Sequence, residues 1–205
     1  MLWVTRSHLH LDRVAAAWLI RRFVDPGATF AFVGWEDEPA LPAGAVPFGL
    51  PGAAFGPHDE DGTTFEKIVR AHRTSDPALA EMAAVVAAGV RRALRIDSQP
   101  DERTSHTALG RALDALGTGG AVFDDDPVIL ERSLPLYDAL HVYCQMTVQL
   151  RGTPGPVPRD PGERQAFWRA RLVDPAAARL TRMDEQMQAP AAAGGVARRH
   201  RDRNR

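Results

Sequence analysis

The sequence predicts a mostly helical fold, α+β or α/β, in which a small N-terminal parallel sheet is covered by helices. Three observations predict it. Strand-like, helix-like and strand-like runs succeed one another by residue 33, the size of a βαβ unit, which favours parallel strands joined by a right-handed crossover. Beyond residue 60, Asp-Pro and Thr-x-x-Glu signals open successive apolar runs that repeat every three or four residues. The chain of 205 residues, 44% hydrophobic and 25% charged, can also bury a core without disulfides or a structural metal.

Residues 2–6 form the first strand-like run. Val14 to Phe23 is rich in Ala and Leu, lacks Gly and Pro, and is apolar around most of its circumference, with Asp12 placed as its N-cap. Asp25-Pro26-Gly27 ends that helix, and Thr29 to Val33 forms the second strand. The segment 34–61 is dense in Pro and Gly; within it Ala45 to Phe48 reads as a short strand that Pro47 pushes to a sheet edge. Thr63 and Glu66 have capping-box spacing and open a helix to about His72. Asp76-Pro77 launches another to about Leu94, with Leu79, Met82, Val86 and Val90 on its buried face. Thr107 to Leu116 is a short helix closed by Gly117, and Asp126-Pro127 begins one that runs to Leu150 with a kink near Pro135. Helical text resumes at 163–172 and 175–188. Residues 1–150 thus read as one domain, 151–189 as a helical extension packed on it, and 190–205 as a disordered Arg-rich tail.

Formal charge is −1, but it is unevenly placed: residues 190–205 carry +4 and residues 1–189 carry −5. A mildly acidic body disfavours nucleic acid as a partner. Cys144 is the single cysteine, which excludes an intramolecular disulfide and suits a reducing cytoplasm. No signal peptide opens the sequence and no apolar run is long enough to span a bilayer, so neither export nor a membrane is expected. There is no G-x-S-x-G, P-loop or G-x-G-x-x-G pattern.

Three clusters carry chemistry. His8, His10 and Asp12 stand where a strand gives way to a helix N-terminus, the usual ligand position in open α/β sheets. His58 sits among Asp59, Glu60 and Asp61 in a Gly/Pro-rich loop, followed by Glu66, which the capping box also explains. Asp138 and His141 lie three apart on an apolar helix, so Asp138 must be exposed, paired or used, with Arg21 or Arg22 as its expected partner.

The segments Trp3-Val4-Thr5-Arg6, Asp12-Arg13-Val14-Ala15 and Trp18 to Pro26 resemble the opening of the C-terminal domain of ChrB-type chromate resistance proteins. The resemblance continues through Val46-Pro47-Phe48, His58, Thr64-Phe65-Glu66 and Tyr137 to Leu140, over about residues 2–150. It implies a role in chromate or heavy-metal stress, as a chromate-responsive regulator or a metal-binding accessory. It carries the family's polar positions onto Asp12, Arg13, Arg21, His58, Glu66 and Asp138. Thr63 stands where members often have a cysteine, so thiol chemistry is not expected there. Longer members carry another domain ahead of this one, and its lack here weakens the regulator reading.

The combined expectation is a pocket at the carboxyl edge of the sheet. Asp12, His58, Glu66 and Asp138 would hold a divalent cation, and Arg13, Arg21 and His10 would bind an oxyanion or line the pocket. Metal ion or small oxyanion are the expected partners, with a homodimer also open. The alternatives are a metal-dependent, phosphoesterase-like hydrolase and, behind it, a DNA-binding regulator.

Overall fold

The computed structural model describes residues 1–35, 41–72, 75–96, 105–122, 125–152 and 155–188. The expected tail at 190–205 lies outside the described residues. Strand β1 (Leu2–Arg6) is central in a three-stranded sheet of order β2-β1-β3, with β2 at Thr29–Val33 and β3 at Val46–Pro47. Both neighbours run parallel to it, pairing Leu2 with Thr29 and Trp3 with Val46. Pro47 therefore occupies an edge strand, where a missing N–H costs least.

Helix α1 (Leu11–Leu19) continues into a wider π-helical turn over Ile20–Val24. Its sequence of small and apolar residues is buried all round: Ala15, Ala16, Ala17, Trp18, Leu19 and Ile20 are each fully inaccessible. That placement makes α1 the axis of the core. Burying a side chain such as Trp18 contributes about 2–3 kcal/mol, and Trp18 also lies 5.4 Å from the ring of Phe23.

The remaining helices are α2 (Thr64–Ala71), α3 (Pro77–Ala93), α4 (Ser105–Gly120), α5 (Asp126–Gly152), α6 (Pro161–Arg169) and α7 (Pro175–Gln188). Thr63 caps α2 through the complete capping box, and Asp76 caps α3 with Pro77 in its first turn. Helices α3 and α4 meet at Gly89 and Gly110, where a Cβ on Gly110 would lie 2.6 Å from the Gly89 backbone nitrogen. Helix α7 packs on the π turn and on α5. No helix among the described residues is long and apolar enough to cross a membrane.

Two local expectations differ. Asp12 is not the N-cap of α1: the helix begins at Leu11, and His10 occupies the cap without a side-chain hydrogen bond. Helix α4 does not stop at Gly117 but runs through it to Gly120, and the absent side chain leaves room for the His10 ring instead of ending the helix. A Cβ there would lie 2.9 Å from the His10 ring.

Candidate functional site

Between β1 and α1 the chain makes a tight turn through Ser7–His10, with φ of +59° at His8 and +35° at Leu11. Left-handed backbone at non-glycine residues costs about 1 kcal/mol or more and needs fixing from outside. Two charged side chains supply that. The Asp126 carboxylate accepts the N–H groups of His8 at 3.1 Å and Leu9 at 2.6 Å. From the other side the Arg13 guanidinium donates to the carbonyls of Arg6, Ser7 and His8 at 2.7, 2.9 and 2.6 Å.

Beside this turn, at the carboxyl ends of the strands, lies a cavity of about 350 Å³. Its polar wall is formed by Arg6, His10, Asp12, Arg13, His58 and Thr64; Trp35 stands at its rim and Val90, Ala93 and Leu94 of α3 close the apolar side. The location is the one that open parallel sheets favour for ligands.

Asp12 reaches across to the N-terminus of α2, its two oxygens accepting Thr64 N–H at 2.9 Å and Phe65 N–H at 3.0 Å. It thus caps a helix 52 residues away rather than its own. Burial pushes its carboxyl above the ordinary carboxylate range, against the pull of those two N–H groups and of nearby His58. The His58 loop is tethered by Lys67, which donates to the Pro57 carbonyl at 2.7 Å and to Asp59 at 2.6 Å. His58 Nδ1 is sealed from solvent and has no hydrogen-bond partner among the described residues. On the facing side, His10 Nε2 lies 3.3 Å from the Asp114 carbonyl and 3.4 Å from Thr118 Oγ1.

Arg13 is also stacked on Trp35, its guanidinium carbon 5.3 Å from the ring centroid, with that of Arg6 at 5.8 Å. Burial lowers the Arg13 pKa from its ordinary value, with repulsion from Arg6 adding to it and the attraction of Asp126 and Asp12 opposing it. Trp35 is 60% exposed and donates its indole N–H to the Ser7 carbonyl.

The structure therefore brings Asp12, His58, Arg13 and His10 to one cavity and leaves the other three expected residues elsewhere. Glu66 stays in the capping box, one oxygen accepting both the Thr63 N–H at 2.7 Å and its hydroxyl at 3.0 Å. Asp138 accepts from Trp18 Nε1, Arg22 Nε and Arg22 Nη2, each at 2.8 Å. Those donors sit six and ten residues past Asp12, about 9 and 15 Å along a helix axis. Arg21 pairs with Glu131 and lies over the Phe30 ring, outside the cavity lining. Among the described residues, no three His, Cys, Asp or Glu side chains form a group that could hold a metal ion. The four-ligand cation centre expected at Asp12, His58, Glu66 and Asp138 is thus not assembled, and the donor set does not fit a metal held that way.

Arg6 and Trp35 were not singled out from the sequence, although both follow the carboxyl-edge rule: Arg6 ends β1 and Trp35 comes just after β2. In the sequence Asp126 marks only the start of its own helix. Its service to a turn 117 residues earlier leaves no local pattern.

The model of the ChrB C-terminal domain matches residues 3–144. The chain belongs to the ChrB C-terminal-domain family. Protein ChrB of Cupriavidus metallidurans is 49% identical over 67 residues, which are 33% of this chain and 20% of that protein. The chain matches only about a fifth of that relative's length. No solved structure matches the chain. The ChrB family match ends at Cys144, so it contains the whole lining of the cavity and excludes α6 and α7.

Proposed function

We propose that the cavity binds a small oxyanion, and that in the setting of chromate resistance this anion is chromate. The observation that carries this reading is the charge of the lining among the described residues: two arginines, Arg6 and Arg13, and a single carboxylate, Asp12. Glu66 and Asp138, which would have made the pocket attractive to a cation, are held outside it. Arginine suits a tetrahedral oxyanion because its planar fork offers parallel N–H donors. Three of the five donors of Arg13 go to turn carbonyls, which fixes the guanidinium before any ligand arrives. His58 Nδ1 supplies a further polar atom whose burial without a partner is costly until a ligand meets it. The choice of chromate among oxyanions rests on the family.

Isothermal titration with chromate, with sulfate as comparison, tests the reading. Wild type should bind chromate at one site. Because Arg13 also holds the β1–α1 turn, His58→Ala is the cleaner variant. It should bind about tenfold more weakly, the loss of one hydrogen bond to a charged group. Absence of saturable binding, or unchanged affinity in both Arg13→Gln and His58→Ala, would refute it. Metal analysis of the purified protein separates the cation reading: stoichiometric metal that is lost on His58→Ala would replace the oxyanion with a cation.

A further inference from the structure

A second cavity, of about 450 Å³, lies between the N-terminus of α3, the later half of α5, and α7. It falls mostly on residues beyond the family match, and it is independent of the oxyanion reading above. Its floor is built with some care. His141, 2% exposed, stands between Asp76 and Gln145, with Nε2 2.9 Å from Asp76 Oδ2 and Nδ1 3.1 Å from Gln145 Nε2. Gln145 in turn clamps the backbone of Val173, accepting its N–H and donating to its carbonyl, both at 2.8 Å. The second Asp76 oxygen accepts the Ala78 N–H at 2.9 Å. Both oxygens of the one carboxylate in the lining are therefore satisfied.

Among the described residues, the Arg182 guanidinium in this lining is not fully satisfied. Arg182 of α7 lies 5.6 Å over the Phe23 ring, and its Nε and Nη2 are shut off from solvent with no hydrogen-bond partner among the described residues. Glu185, one turn along, attracts it only through space, while Arg22 repels it. Arg171 adds a second positive charge to the lining. Burial lowers the Arg182 pKa, as expected of a guanidinium without an acceptor. Buried polar atoms left unpaired are uncommon and point to a missing acceptor. The walls around the cation are apolar: Phe23, Val148, Val173 and Pro175.

We propose that this cavity binds an amphiphilic organic anion, its acidic head on the Arg182 guanidinium and its apolar body along Phe23, Val148 and Val173. The volume is that of a small-molecule site, and the lining sets apolar Phe23, Val148, Val173 and Pro175 beside polar His141, Gln145, Gln149 and the two arginines. Inorganic oxyanions would use the charge but leave the apolar walls in water.

Octanoate is the probe, titrated into the full chain and followed by calorimetry and by shifts of the amide resonances of α7. Wild type should saturate at millimolar octanoate or below, while acetate and sulfate bind at least tenfold more weakly. Arg182→Gln should reduce octanoate affinity about tenfold or more. Ala178→Trp, which fills the cavity from α7 while keeping the Arg182 charge, should abolish binding. No saturable octanoate binding to wild type would overturn the proposal. So would sulfate binding as tightly as octanoate, or undiminished affinity in Ala178→Trp. His58→Ala, in the first cavity, should leave octanoate affinity unchanged, and a parallel loss there would overturn a separate second site.

Discussion

Arg22 and Asp138 are 9% and 16% exposed at their side chains and joined by two hydrogen bonds of 2.8 Å. Removing one partner of such a pair leaves the other charge buried and uncompensated. Asp138→Ala should therefore cost about 3 kcal/mol in urea unfolding. The double variant Arg22→Met with Asp138→Leu should recover only part of that, since the buried Trp18 N–H still loses its acceptor, and neither should change chromate affinity at the first cavity. That Asp138 needed a partner was legible from its apolar neighbours. Which arginine it takes was not, because Arg21 and Arg22 are adjacent and the π turn decides which of two α5 carboxylates each one meets, Glu131 for Arg21 and Asp138 for Arg22. Asp12 and Glu66 repeat the lesson. Each is a carboxylate near a helix start, yet Glu66 serves the helix that carries it and Asp12 serves one distant in sequence. Local spacing reveals the first kind of cap and not the second.

Helices α3 and α4 approach so closely that backbone, not side chain, meets backbone. At Gly110 an added Cβ would come within 2.6 Å of Gly89 N and 2.9 Å of the Val85 carbonyl oxygen, neither of which can rotate away. Gly110→Ala should destabilise the protein by about 1–3 kcal/mol, read from the denaturant midpoint. The strands, α2 and α3 were legible in the sequence from local caps and apolar periods, and α1 from its apolar run but not from its cap. The extent of α4 was not. Gly117 looks like a terminator, and its use as room for the His10 ring depends on how α4 lies against the β1–α1 turn.

Across the whole molecule, several carboxylates titrate below their ordinary range. For Asp76, burial pushes upward but the His141 and Ala78 hydrogen bonds outweigh it. For Asp25, burial is outweighed by the N-terminal ammonium at 2.6 Å and the Trp3 indole at 3.1 Å. For Glu81, the hydrogen bond from Arg151 dominates. Each contributes stability that is present above the unfolded carboxylate pKa, near 4, and is lost as pH falls through the lower folded value. Asp12 has the opposite sign, its folded pKa being raised, so its contribution is lost as pH rises. Urea unfolding against pH should show stability falling below about pH 4. Asp76→Asn, which keeps an oxygen for the Ala78 N–H, should flatten that fall; an unchanged slope would remove Asp76 from the account. The sheet-edge pocket was legible as a location, and its charge was not. Asp138 and Glu66 look available in the sequence, but the fold spends them on Arg22 and Thr63, and Arg6 at the end of β1 carries no local signal of its place in the lining.

The central claim is that the cavity beside the β1–α1 turn takes an oxyanion on its arginine side. Chromium anomalous scattering from crystals soaked in chromate tests it most directly. The account predicts a peak in the first cavity, within hydrogen-bonding reach of Arg13 or Arg6 and of His58 Nδ1. A chromium peak confined to the Arg182 cavity, or none at a chromate concentration that saturates the protein in solution, would contradict it.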